Sequence, residues 1–220
     1  MTIKEQEDSL FAEWRINRKG FVADGVADEN AYLQSGKKIL FLMKEVNDPD
    51  YGGWDLRDHM RKGGKGTTWS NIARWTRGIR TLPRRISWDD DMGKMPKEKR
   101  IDAVRDIAAM NLKKTPGGAT TVKADLHEVA NKDKDFIRRQ FDIYDADIVI
   151  CCGQDVAALV HLCGTNEDIV SWKKTKNMVG YCEYKPGKYL ISYWHPAARK
   201  SALMMLNGLI VAMEEIIVRR

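Results

Sequence analysis

The sequence predicts an α/β protein of three layers: a central, mostly parallel four-stranded sheet with helices on both faces. Three observations lead there. Short apolar runs recur at Ile39-Leu40-Phe41-Leu42-Met43, Ala108-Ala109-Met110-Asn111-Leu112, Ile148-Val149-Ile150-Cys151-Cys152 and Tyr189-Leu190-Ile191-Ser192-Tyr193-Trp194. They lack the apolar–polar alternation of a half-exposed strand, so both of their faces are expected to be covered. Stretches with helical periodicity separate them, the pattern of parallel strands joined by crossover helices. With 220 residues, 43% of them hydrophobic, the chain can bury one sizeable core. A single domain over residues 1–220 is therefore expected, with residues 1–36 as an N-terminal helical extension packed on it.

In chain order, residues 4–18 read as a helix with Leu10, Phe11 and Trp14 on one face. The strand at 39–43 runs into a loop over 47–53 rich in Asp, Pro and Gly. Residues 68–80 read as a helix, with Ile72, Trp75 and Ile79 at helical spacing. Residues 89–99 are a charged loop, and 101–107 begin helical before the strand near 108–112. Thr115-Pro116-Gly117-Gly118 breaks the chain. One helix is expected over 125–144. Gly153 turns the next strand into a helix over 155–162. Residues 179–184 and 188–194 either pair, or only the second joins the main sheet. The last helix fills 198–218. Its apolar stretch, 203–217, is broken by Asn207, Gly208, Glu214 and Glu215, so it reads as a buried helix and not a membrane span.

Composition narrows the class further. The N-terminus is too charged for a secretory signal. Cys151, Cys152, Cys163 and Cys182 lie in apolar surroundings without metal-ligand spacing, and read as buried reduced thiols of a cytoplasmic, monomeric protein. The formal charge of +6 is concentrated: residues 57–85 carry nine basic residues against Asp58 alone. Trp69 and Trp75 are interleaved with them, and Gly63, Gly64 and Gly66 loosen the approach. Basic residues with aromatics suit a phosphate backbone and exposed bases, which nominates Arg74, Arg77 and Arg80 as nucleic-acid contacts. The competing reading is a solvated helical face with its tryptophans in the core.

The candidate site lies where strands end. His195-Pro196 sits between a strand and a helix; Pro196 biases His195 out of the helical region, so a turn presents the imidazole. Lys44, Glu45, Val46, Asn47 and Asp48 follow the first strand, and Asn111 ends the second. Parallel strands share one carboxyl edge, so these distant residues can meet in one crevice. Taken singly, each has an ordinary role: a carboxylate as a cap or turn residue, Asn111 as a partner for loop backbone.

Together they resemble the uracil-DNA glycosylase superfamily, in element order over residues 39–206. Trp194-His195-Pro196-Ala197-Ala198-Arg199 is similar to the family's His-Pro-Ser motif, with Ala197 in place of Ser. Ala109-Met110-Asn111-Leu112 resembles the strand whose terminal Asn reads the uracil edge. Asp147-Ile148-Val149-Ile150-Cys151-Cys152-Gly153, preceded by Phe136-Ile137-Arg138-Arg139-Gln140-Phe141, resembles the family's apolar strand and the helix before it. Gly66-Thr67-Thr68-Trp69-Ser70 resembles the segment that supplies an aromatic for the flipped base. The first motif departs: in place of Gly-Gln-Asp-Pro-Tyr and its variants stands Lys44-Glu45-Val46-Asn47-Asp48-Pro49-Asp50-Tyr51. Distance from the strand aligns Glu45 with the family's Gln or Glu; local similarity favours Asp48-Pro49.

The resemblance implies hydrolysis of the N-glycosidic bond of uracil or a related deaminated base in DNA, through an oxocarbenium-like state. His195 would donate to the carbonyl of the departing base. Glu45 or Asp48, with Asn47 in the same segment, would orient water. Asn111 would read the base edge, Trp69 would stack on the flipped base, and Pro196 would contact the substrate beside His195. Arg199 and Lys200 would meet phosphates. No metal or other cofactor is implied, and the absence of Cys before position 151 predicts no iron–sulfur cluster. Two alternatives remain: a nucleic-acid-binding protein of the same fold without glycosylase activity or acting on another substrate, and a different α/β enzyme acting on a small nucleotide or nucleoside.

Overall fold

The computed structural model describes residues 1–48, 51–164 and 171–218. Pro49, half of the Asp-Pro pair, lies outside the described residues. Helices α1 (Ile3–Trp14), α2 (Glu29–Gln34), α3 (Leu56–Arg61), α4 (Gly66–Thr81), α5 (Asp90–Lys94), α6 (Lys97–Val104), α7 (Lys123–Lys132), α8 (Lys134–Tyr144), α9 (Gln154–Leu159) and α10 (Ala202–Met213) surround one mixed sheet. Its strands are β1 (Gly25–Val26), β2 (Ile39–Met43), β3 (Ile107–Asn111), β4 (Ile148–Cys152), β5 (Lys173–Lys174), β6 (Gly180–Lys185) and β7 (Lys188–Tyr193).

The sheet has seven strands in the order β1-β3-β2-β4-β7-β6-β5, where the sequence predicts four. The four apolar runs form the parallel centre, β3-β2-β4-β7. The additions are antiparallel: β1 on one edge, β6 and β5 on the other. The edge strands carry no continuous apolar run. β1 and β5 are two residues each, and β6 mixes exposed and buried positions, so apolar runs do not reveal them. β6 and β7 pair, and both join the main sheet.

Both faces of the central strands are buried, which explains their missing alternation. On β2, Ile39, Phe41 and Met43 face a core with Ile72 and Trp75 of α4 and Leu206 and Ile210 of α10. Leu40 and Leu42 face the opposite core, with Leu10, Phe11 and Trp14 of α1 and Ile137 and Phe141 of α8. The N-terminal segment is more than an extension, because residues 1–36 include β1 as well as α1 and α2.

Several helix boundaries differ from expectation. The helix expected over 125–144 is two, broken at Asp133. That carboxylate is fully buried and accepts from Trp14 Nε1 at 3.0 Å and from the Arg18 guanidinium, so tertiary bonds break the helix there. The charged loop over 89–99 holds α5, capped by Asp89, and the start of α6. The last helix begins at Ala202 behind its Ser201 cap, and residues 198–200 stay in a turn.

Part of the basic segment folds inward, while Arg61, Lys62, Lys65, Arg84 and Arg85 stay exposed. Arg57 is buried and donates to Glu7, Asp8 and Asp55. Arg74, 7% exposed, donates to Met92 O, Gly93 O and Asn71 Oδ1. Arg80 donates to Lys37 O and pairs with Asp106, and Arg85 pairs with Glu214. Apart from Asp55, the opposing carboxylates come from remote parts of the chain, which a local charge count does not see. Among the described residues no helix is long and apolar enough to cross a membrane.

One buried ion pair ties the layers together. Lys114 Nζ donates to both oxygens of Asp24, at 2.6 and 2.7 Å, and to Asn111 O at 2.8 Å. Both side chains are fully buried. Lys114→Met strands the Asp24 carboxylate in the core, and urea unfolding is expected to lose about 3–5 kcal/mol. Asp24→Asn added to it should recover part of that loss; a single-variant loss under about 1 kcal/mol would exclude the role.

Glu7 adds a pH-dependent contribution. Its carboxylate accepts from Arg57 and from Val26 N, yet burial outweighs both and raises its pKa from 4.5 to about 7. Arg57 keeps Asp8 and Asp55, so Glu7 can be protonated without leaving it unpaired. The raised value means that this stabilisation is complete below 4.5 and lost as pH rises through 7. Denaturation of wild type and Glu7→Gln across that range should show the variant gaining relative stability as pH rises.

Candidate functional site

Beyond the carboxyl ends of β2 and β3 lies a cleft of about 510 Å³. It brings together six predicted residues: Glu45, Asn47, Asp48, Trp69, Asn111 and His195. The parallel register puts Met43 beside Asn111, and the pairing continues past the strands. Leu112 N donates to Met43 O and Lys113 N to Lys44 O, each at 2.9 Å. Further on, Gly117 N donates to Val46 O and Asp48 N to Gly117 O. The two loops therefore run together as one wall.

Glu45 is held in that wall by what Gly117 lacks. A Cβ on Gly117 would lie 2.6 Å from Glu45 Oε1. Glu45 Oε2 is buried without a hydrogen-bond partner among the described residues. Glu45 as a whole is half-buried and lines the cleft, so a turn of its carboxylate would bring an oxygen to a bound water or ligand. Asp48 is committed elsewhere: its Oδ2 accepts from Gly52 N at 3.1 Å and Trp54 Nε1 at 2.8 Å, closing its own loop. Asn47 is exposed and bridges to Gly117.

His195 follows β7 in a tight turn. Ala198 N donates to His195 O at 2.8 Å, and Ala197 N donates to His195 Nδ1 at 3.1 Å. An Nδ1 that accepts is unprotonated, so the neutral ring carries its proton on Nε2. Burial, then the nearby Lys44 charge, holds the His195 pKa below the usual histidine range. Pro196 is buried behind the site, where its carbonyl accepts from Asn71 Nδ2 at 2.7 Å. Arg74 donates to Asn71 Oδ1 at 2.9 Å. Arg74 thus braces the turn that carries His195 from behind.

Asn111 is 3% exposed, and its amide is oriented from below. Its backbone N and its Nδ2 both donate to Asp24 Oδ2, at 2.7 and 3.2 Å. One amide proton is spent there, which leaves Oδ1 and the second N–H as the groups available to a ligand.

Sequence reasoning missed a further wall of the cleft. Trp54, His59 and Lys65 also line it. The His59 ring lies 6.0 Å from Trp54 and 5.8 Å from Trp69, centre to centre. His59 Nε2 accepts from Lys65 N at 3.1 Å, and burial, then Lys65 and Lys62, lowers its pKa. Trp69 fits only because Gly64 has no side chain: a Cβ there would lie 2.2 Å from Trp69 Cγ, and Gly64 sits at φ +61°. Trp, His, a Gly pair, Lys and Trp within fifteen residues of each other were the available signal. The net basic charge of the stretch obscured it.

The remaining predicted residues lie outside the cleft. Arg199 and Lys200 are exposed beyond it, Arg77 is half-buried, and Arg74 and Arg80 are committed to internal bonds. Among the described residues no group of three or more His, Cys, Asp or Glu side chains is placed to hold a metal ion. The four cysteines are buried, and none forms a disulfide.

Fold and site define the class: an α/β protein with a ligand crevice at the carboxyl edge of its parallel strands. No protein-family model matches the chain, and no curated protein matches it in sequence.

In an NMR titration the midpoints of both His59 and His195 are expected below 6.5, with the Nε2-protonated tautomer for His195. A His195 midpoint above 6.5 would contradict the burial and charge assigned to it.

Proposed function

We propose that the cleft excises uracil or a related deaminated base from DNA by hydrolysing its N-glycosidic bond, as a divergent uracil-DNA glycosylase-like protein of three α/β/α layers. One observation carries the reading. A neutral imidazole, an oriented Asn amide and the Glu45 carboxylate meet in one aromatic-walled cleft. The motif resemblance around His195 and Asn111 points the same way.

Each group has a task in that chemistry. A base flipped out of its stack would lie against Trp69, an aromatic surface that offsets part of the lost stacking. Asn111 Oδ1 and its free N–H meet an imide edge, which presents a donor beside an acceptor. As the glycosidic bond breaks, electrons move onto the base, and negative charge grows on its carbonyl oxygen. The Nε2–H of His195 stabilises that charge in a partly buried site. Glu45 orients the water that attacks the sugar and stabilises the positive charge there.

The second reading, binding without excision, has its own support. Asp48, the carboxylate nearest the family's Asp-Pro pair, spends an oxygen on Gly52 and Trp54. Water activation then rests mainly on Glu45.

The test is base release from strands carrying uracil, hypoxanthine, xanthine or a mismatch. At least one should be cleaved. His195→Ala is expected to lower the rate on the order of a hundredfold while keeping most DNA affinity; equal loss of both would reject the donor role. Glu45→Gln should lower the rate by about a hundredfold or more. The wild-type rate should fall on the acid side only below pH 6.5, because protonating His195 breaks its bond to Ala197 N.

A further inference from the structure

His195 and its neighbour Trp194 open into different clefts. The second, about 650 Å³, lies at the same carboxyl edge, between α9 and α10. Trp172, Lys174, Met178, Tyr193 and Trp194 line it, and among the described residues no carboxylate does. Trp194 is 40% exposed, stacked on Tyr193 with centroids 5.6 Å apart. Lys200 holds its ammonium 5.7 Å over the Trp194 ring. The rim is fixed by the turn between β5 and β6. Asn177 Nδ2 donates to Gly208 O of α10 at 2.7 Å, and Met178 projects at φ +65°, 65% exposed.

An exposed indole backed by a second ring, with cations beside it, matches what an unpaired nucleotide needs. The base stacks, and the phosphate meets ammonium groups. Stacking a base on an indole is stronger than an exposed cation–π contact, so an arriving base displaces Lys200 from the ring toward the phosphate. Adjacent residues serve the two clefts, so one strand can occupy both.

We propose that this second cleft seats the nucleotide flanking the one whose base enters the first cleft, an unpaired nucleotide of a single DNA strand stacked on Trp194. The proposal rests on the first cleft being a base site. It places the strand track at Trp194, Lys174 and Lys200, away from the arginines of α4.

The experiment measures binding of a fluorescein-labelled oligothymidylate of about ten nucleotides by anisotropy, at several salt concentrations. Trp194→Ala should weaken binding about tenfold, and Trp194→Phe should restore most of it. Lys174→Ala with Lys200→Ala should flatten the salt slope by about 1.4, two phosphate contacts on a single strand. Thermal melting checks that each variant is folded. Wild-type affinity in Trp194→Ala, or no rescue by Phe, overturns the proposal. Binding that depends on Trp194 while no strand carrying uracil, hypoxanthine, xanthine or a mismatch loses its base upholds the flanking site and rejects the glycosylase reading. A wild type that releases base from a uracil-containing dinucleotide but does not bind oligothymidylate rejects the flanking site alone.

Discussion

The Asp24–Lys114 ion pair is the constraint on which the arrangement depends. Neither charge could enter the core alone, because an isolated buried ion costs far more than its partner groups return. Here the Lys114 ammonium donates to both Asp24 oxygens and to Asn111 O, and it lies 4.9 Å from the Trp14 ring centre. Asp24 in turn accepts from Asn111 and from Gln140 Nε2 at 2.7 Å. The pair therefore joins the N-terminal helix, the end of β3 and helix α8. It also sets the Asn111 amide, so the orientation of a cleft residue is decided in the core.

The cleft combines nearby positive charge with uncharged rings. Lys65 lines it, and Lys44 lies close enough to depress His195 while paired to Asp155 at 2.7 Å. Both histidines are held below their usual range, mainly by burial. On the proposed reading this suits a leaving group that gains negative charge. A neutral donor stabilises charge as it develops without binding the neutral ground state as an ion pair would.

The arginines of α4 illustrate how folding changes the meaning of composition. A guanidinium has several donors in a rigid plane and can satisfy several carbonyls at once. Arg74 does so between α4 and α5, bonding Met92 O and Gly93 O, and braces the Asn71–Pro196 contact. Arg74, which counts toward a nucleic-acid-like charge in sequence, is a structural support for the His195 turn.

The sequence by itself determined the four central strands, because only segments buried on both faces carry uninterrupted apolar runs, and β2 and β4 match their runs residue for residue. It also marked His195, Asn111 and the Glu45–Asp48 segment, since residues past parallel strands must share an edge. The tertiary structure decided what local pattern cannot encode. The short edge strands exist through pairing with a neighbour and need no apolar run of their own. The break at Asp133 exists because Trp14 and Arg18 reach it from more than a hundred residues away. Glu45 and Asp48 look alike in sequence; the fold leaves one Glu45 oxygen unpartnered and binds Asp48 into its loop. His59 joins the site because Gly63 and Gly64 turn the chain back and bring Trp69 beside it. Apolar periodicity is a local property and reports burial; the assignment of each polar group to core, loop or cleft depends on partners that only the folded chain brings within reach.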